Sequence, residues 1–344
     1  MGEILKMSNS VMAKDTETPF ESYLNCHDDE AWAVVVRSLL PSIHEVDRTA
    51  TQIWFHFYPL ALLRALEEAE DAERLAQELL LQGKYYLKDQ IDSSHKFLYG
   101  HRYWPEVIRA VTEYGADAGH ARSELKTRIL EVARLVAAEK KVDESLLVGI
   151  TAVAFMTLQQ VGMDAFKAAK GRVHIDGKHA KKSPEAILRE RARDDSQGLF
   201  GFLKTVDREW TVTFDESDDA ASYKMKNGTD LAYGAAEDRS REWTKLDPRR
   251  IEGPIPVECR SAACGTCWVG VLGGAEKLSD VQPRLEGKRI KEFGYINTDE
   301  PKPLIRLACQ AQAQGAVSIV IPPWNGVFGK YLHAQKEKSV NRES

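Results

Sequence analysis

The chain has 344 residues, 47 of them Lys or Arg and 52 Asp or Glu, for a formal net charge of −5. This is about two domains of ordinary size, and an apolar content of 43% with 29% charged residues excludes wholesale disorder. The mild acidity excludes a nucleic-acid binder that works through bulk charge, and no apolar run approaches the ~20 residues needed to span a bilayer.

The N-terminal twenty residues show no hydrophobic signal core and no small-residue cleavage pattern. Lys6 stands where a myristoylation signal wants Ser or Thr. A cytoplasmic protein without a membrane span is expected. Residues 1–30 read as a polar N-terminal segment, with Cys26 as a spare thiol in it.

Residues 31–169 read as an all-α domain of roughly five to seven helices, since apolar residues recur there with the 3.6 period. Val46, Ala50, Ile53, Phe57 and Leu60 make one apolar stripe, which Pro59 should kink or end. The run Glu67, Glu68, Glu70, Asp71 and Glu73 fits a solvated helix end. Leu125, Ile129, Val132 and Val136 make a second stripe, with Lys126, Arg128, Glu131 and Arg134 expected on its outer side. From Leu146 to Leu158 the sequence is apolar almost all round, which predicts a central buried helix with Asp143 as its N-cap.

The helical half holds His44, His56, His95, His101 and His120. Asp92 with His95, and Asp117 with His120, would each set a carboxylate and an imidazole one turn apart. A di-iron bundle wants Glu-x-x-His on two helices, and that spacing occurs nowhere in the chain. His56, among Trp54, Phe55, Phe57 and Tyr58, fits a core edge better than a haem ligand. Phe97, Tyr99, His101, Tyr103 and Trp104 read as core or as a docking patch.

Residues 170–205 read as a basic linker with a short helix from Pro184 to Arg193. Between 166 and 182 there are six Lys or Arg against one Asp. A solvated linker is the plain reading of such a run, and a site for an acidic partner or nucleic acid the sharper one.

The five cysteines are Cys26, Cys259, Cys264, Cys267 and Cys309, an odd count that does not suit a disulfide framework. Four of them form C-x4-C-x2-C followed by a distant fourth, the plant-type spacing for a [2Fe–2S] cluster. Two bridged irons need four thiolates in two pairs. Three cysteines on one tight loop wrap most of the cluster and a fourth closes it. The small residues Ser261, Ala262, Ala263, Gly265 and Thr266 let backbone N–H groups approach the sulfurs, which tunes the potential. The other readings, a zinc site or chance clustering, fit less well, because zinc prefers paired C-x2-C knuckles and one such pair exists.

Residues from about 208 to 324, within a unit bounded at 206–326, resemble a plant-type [2Fe–2S] ferredoxin domain. Cys259-Arg-Ser-Ala-Ala-Cys264-Gly-Thr-Cys267 resembles its cluster loop, and Arg306-Leu-Ala-Cys309-Gln310 the segment carrying its fourth ligand. The resemblance implies a β-grasp fold, so the chain as a whole is expected to be α+β: an N-terminal all-α domain, then a β-grasp ferredoxin-type domain. Residues 327–344 read as a polar C-terminal tail. Trp210–Phe214 alternates like a strand, and Ala221–Met225 would pair with it. Asn227-Gly228 would start a turn, with Thr229 capping a helix from Asp230 to Ala236. Trp268–Leu272 and Val317–Ile321 read as further strands. Between Cys267 and Cys309 lie 41 residues, more than the family usually has, with the excess expected as a surface insertion over Gly287–Pro303. A second insertion is expected between Arg239 and Pro254.

No G-x-G-x-x-G, Walker A, G-x-S-x-G, H-E-x-x-H or C-x-x-C-H motif occurs. The reading is therefore an electron-transfer protein with a [2Fe–2S] cofactor on Cys259, Cys264, Cys267 and Cys309 and no active site of its own. Its partners would be a reductase donor and an acceptor oxidoreductase. Residues 205–330 hold 17 Lys or Arg against 19 Asp or Glu, which gives little electrostatic steering. A fused helical domain would compensate by docking the partner, as in a dedicated subunit of a larger redox system. The alternatives are an oxidoreductase whose helical domain holds a substrate or metal centre fed by the cluster, and a redox-sensing binding module. Nothing in the sequence fixes an oligomeric state.

Overall fold

A computed structural model describes residues 17–78, 86–116, 123–169, 171, 175, 177–193, 208–292 and 302–323. The tail 327–344, His120, Asp117 and the stretch 293–301 fall outside these residues.

The N-terminal part is helical. It runs α1 (Pro19–Asn25), α2 (Asp29–Leu39), α3 (Glu45–Phe57), α4 (Leu60–Glu67), α5 (Ala72–Glu78), α6 (Trp104–Ala116), α7 (Leu125–Lys140), α8 (Ser145–Val161), α9 (Met163–Ala168), α10 (Gly177–Ala180) and α11 (Pro184–Ala192). Eight of these begin between residues 29 and 163, above the expected five to seven. The excess comes from short helices such as α4 and α9, whose stripes are too brief to show a period.

Residues 1–30 are expected to be polar, but α1 buries Phe20 and Leu24 in the core. Its start is fixed by a capping box: the Thr18 hydroxyl accepts from the Glu21 amide, and Glu21 accepts from the Thr18 amide at 2.8 Å. Cys26 follows as an exposed free thiol. The stripe from Val46 to Phe57 is buried along α3. Pro59 ends it, and Leu60 opens α4. The new N-terminus has no capping side chain of its own, so Asp29 supplies one from α2, accepting from the amides of Leu60 and Ala61 at 2.8 and 2.9 Å. The acidic run from Glu67 to Glu73 is exposed, as expected.

Helix α8 is the central helix, buried at every position from Leu146 to Leu158. Asp143 accepts from the Ser145 amide at 2.8 Å, one residue ahead of the formal cap at Glu144. On α7 the stripe is buried as expected, but Arg128 is not on the outer side. It is 3% exposed, its guanidinium lies 3.6 Å from the Tyr23 ring centroid, and its Nε donates to the Ser123 carbonyl. Helix α1 supplies the aromatic face that makes this burial tolerable.

The C-terminal part is a five-stranded mixed sheet: β1 (Glu209–Thr213), β2 (Ser222–Lys226), β3 (Trp268–Gly273), β4 (Ile305–Leu307) and β5 (Val317–Val320), in the order β2-β1-β5-β3-β4. Strands β1 and β5 pair in parallel and every other pair is antiparallel. Helix α12 (Leu231–Glu237) lies on β2 and is capped by Asp230, not by Thr229: the Asp230 carboxylate accepts from the Tyr233 amide. In the 239–254 insertion, α13 (Trp243–Leu246) buries Trp243 edge-on against Phe214. The other expected insertion is not all surface. A π-helical turn (Pro283–Gly287) that buries Glu286 leads into it, and within it α14 (Lys288–Glu292) buries Ile290.

The two halves share an interface. Gly270 of β3 meets α3 so closely that a Cβ there would lie 2.6 Å from Ile53 Cγ2, which leaves room for glycine alone. Helix α11 starts at its Ser183 cap and carries Arg191 into this interface. Arg191 makes a bidentate pair with Glu216 at 2.9 and 2.8 Å and donates to the Val46 carbonyl at 2.7 Å. Ser318 adds a third bond to Glu216. The Pro184–Ala192 stretch is thus packed structure, although the sequence around it reads as a solvated linker.

Asp47 of α3 is fully buried and accepts from the amides of Tyr99 and Gly100 at 2.5 and 2.7 Å. Burial pushes its carboxyl up to about 6 despite those amides. The folded state therefore holds this proton more tightly than the unfolded chain does. Its stabilising contribution is complete below the ordinary Asp value and lost as pH rises through about 6. Asp47→Asn, neutral throughout, removes that dependence. Between pH 4 and pH 7 the urea-derived stability of wild type relative to this variant is expected to fall by about 2 kcal/mol; parallel pH profiles would contradict the assignment.

Candidate metal centre

The segment from Cys259 to Cys267 enters β3 directly, so the strand fixes one end of it. The backbone turns on three residues with positive φ: Arg260 at 51°, Ala262 at 62° and Gly265 at 72°. The first two are L residues in the left-handed region, which costs roughly 1–3 kcal/mol each. The result is a concave loop whose amides face inward. The amides of Ser261, Ala263 and Cys264 donate to Cys259 Sγ at 3.5, 3.3 and 3.4 Å, and that of Thr266 to Cys264 Sγ at 3.5 Å.

Cys309 arrives from the other side, in the turn after β4. That turn is anchored twice: the Ala308 amide donates to the Cys267 carbonyl at 2.9 Å, and the Ala232 amide of α12 to the Ala308 carbonyl at 3.1 Å. Strand β4 is held by a buried ion pair. Arg306, 1% exposed, donates twice at 2.9 Å to Glu286, fully buried, and once to the Ser279 carbonyl at 2.8 Å. Glu286 also accepts the Leu307 amide at 2.9 Å.

The thiols influence one another in two pairs, Cys259 with Cys264 and Cys267 with Cys309. Burial alone would push the Cys259 thiol up, but the Ser261 and Cys264 groups that donate to it bring it down to about 6. Burial pushes the Cys264 thiol up. In the second pair, Cys309 is held down chiefly by the Cys267 thiol, while Cys267 goes well up because it keeps the shared proton and is buried. Amides that lower a thiol suit a thiolate bound to metal. Thr266 Oγ1, between the second and third cysteines, is buried and has no partner among the described residues. Four thiols in two pairs, inward amides and this open hydroxyl fit a two-iron sulfide group.

The face behind the loop is closed. Trp268 sets its ring 5.9 Å from that of Phe57, edge to face, and Cys267 is buried, whereas Cys259 and Cys264 are partly exposed.

The histidines do not join this site. His95 Nε2 donates to the Ile91 carbonyl at 3.1 Å, which leaves its Nδ1 to accept from His101 Nδ1 at 2.9 Å. Burial holds the His95 imidazole well below its ordinary value and brings His101 down to about 4. Asp92 serves Trp104 Nε1 at 2.9 Å rather than His95, because residues 91–97 form turns and not a helix. Tyr99, His101 and Trp104 are core. Burial also lowers His56. Among the described residues no three His, Cys, Asp or Glu side chains are grouped to hold a single metal ion.

Sequence reasoning passed over Glu286, the partner of Arg306, and the three contacts of the Gln310 amide. Neither has a local signature, since each is a contact between segments far apart or a side-chain rotamer.

Comparison with curated proteins and with solved structures gives no match, and the N-terminal region matches no family. Residues 237–314 match the 2Fe-2S iron-sulfur cluster binding domain family, and this part of the chain binds a [2Fe–2S] cluster.

Proposed function

We propose that the protein is a one-electron carrier whose cluster is held by Cys259, Cys264, Cys267 and Cys309. The observation that carries this reading is the pairing of the four thiols around an amide-lined loop. The cluster, when bound, supplies a one-electron couple, and the protein supplies placement and electrostatics. The Cys259–Cys264 pair would hold one iron and the Cys267–Cys309 pair the other. Loop amides donate to sulfur and stabilise the extra negative charge of the reduced state. The partly exposed Cys259 and Cys264 would be the side through which electrons pass, while Trp268 and Phe57 exclude water behind Cys267.

The sheet order, with its first and last strands parallel at the centre and α12 laid on β2, supports a β-grasp fold for residues 206–326. The helical unit, 31–169, and the connection, 170–205, would then form a fused docking module. We assign it the choice of partner, a reductase on one side and an acceptor oxidoreductase on the other, in a cytoplasmic redox system. No helix among the described residues is long and apolar enough to cross a membrane.

The test is an electron count on the full chain. Anaerobic dithionite titration is expected to deliver one electron per chain, and the reduced protein to pass it to cytochrome c without any other substrate. Uptake of more than one electron would place a second centre in the helical half and make the chain an oxidoreductase.

A further inference from the structure

Gln310 follows the fourth cysteine, and its side chain turns back on the site. Its Nε2 lies 2.8 Å from the Cys309 carbonyl, 3.4 Å from Cys309 Sγ and 3.5 Å from the Arg260 carbonyl. All three neighbours are acceptors, so the amide must present its nitrogen to them and not its oxygen. The shortest bond, to the residue's neighbouring carbonyl, fixes the side chain. Arg260 owes the position of its carbonyl to its own positive φ of 51°, so the cluster loop and the Cys309 turn meet at this one amide. The other bonds to thiol sulfur come mainly from backbone amides, which an ordinary side-chain substitution leaves in place. Besides its partner Cys267, Gln310 is a side chain that reaches Cys309 Sγ, at 3.4 Å.

We propose that Gln310 is a positioning residue that raises the reduction potential of the centre by donating Nε2–H to Cys309 Sγ. The inference rests on Cys309 being a ligand. Reduction adds one electron, and the added negative charge spreads onto the ligand sulfurs. A donor at Cys309 Sγ therefore stabilises the reduced form more than the oxidised one. Leucine removes the donor at similar volume. Glutamate keeps the shape but puts an acceptor where the donor stood.

The experiment is a redox titration of the loaded full-length protein, followed by EPR, for wild type, Gln310→Leu and Gln310→Glu. The donor's loss is expected to shift the one-electron equilibrium roughly tenfold toward the oxidised form, about 59 mV downward. Gln310→Glu is expected to go at least as far. In parallel, wild type labelled with ¹⁵N-glutamine is expected to show a nitrogen coupling to the reduced cluster that Gln310→Leu lacks. Variants that load fully and titrate with wild type would overturn the proposal, and so would the absence of that coupling in wild type even if both variants fail to load. A Cys309→Ser protein that keeps an unchanged cluster would instead overturn the ligand assignment beneath it.

Discussion

Cys309→Ser is expected to purify with most of its cluster lost, and Cys267→Ser with the same deficit. Each thiol is the partner of the other, and each belongs to the buried side of the site. A serine hydroxyl is a poor ligand for iron held by thiolates, since its oxygen keeps its proton near neutral pH and sits closer to Cβ than sulfur does. The three loop cysteines would still wrap part of the group, so a labile remnant with a broadened spectrum is the expected residue. The helical half lies outside the loop and should keep its far-UV signal. The measurement is iron per chain together with the visible spectrum of the anaerobically purified variant. A Cys309→Ser protein with wild-type iron and wild-type absorbance would contradict the pairing of the thiols.

Glu286→Gln is expected to cost roughly 3–5 kcal/mol and to loosen the cluster although it touches no cysteine. The carboxylate is fully buried and takes two bonds from Arg306 and one from the Leu307 amide. Glutamine cannot accept the full set, and it leaves the Arg306 charge buried without its counterion. Strand β4 is three residues long, so the pair acts together with the two backbone bonds that anchor the turn delivering Cys309. The expected readouts are a lower urea midpoint and faster loss of iron to a chelator. Pairing the change with Arg306→Met removes both charges and should restore much of the stability. A single variant within about 1 kcal/mol of wild type, with unchanged iron retention, would show that the pair does not support the site.

The parts of this structure that were legible in the sequence are those with a local period or a fixed local spacing. The apolar stripes of α3 and α7, the all-round apolar run of α8 and the alternating Trp210–Phe214 segment announce their elements without reference to the rest of the chain. The three loop cysteines do the same for the site, because a small loop is the chemical requirement of the cluster. What could not be read lies in long-range pairing. Glu286 is 20 residues from Arg306 and lies just ahead of the stretch that length alone marked as an insertion, with no local pattern to pair it. Arg191 finds Glu216 across 25 residues, so a helix in a basic stretch looked like a linker. Arg128 sits at a position that helix geometry makes peripheral, and the ring of Tyr23 from α1 covers it. The capping box of α1 was the exception: Thr18-Pro-Phe-Glu21 carried its full signature, hidden within a segment whose composition looked polar.

The proposed carrier role requires one [2Fe–2S] cluster on Cys259, Cys264, Cys267 and Cys309 and no second redox centre. Its most direct test is iron and acid-labile sulfide per chain on anaerobically purified protein, with EPR after dithionite reduction. The account predicts two irons, two sulfides and a single S = 1/2 signal, lost in Cys259→Ser. One zinc and no iron, or metal and signal beyond one such cluster, would contradict it.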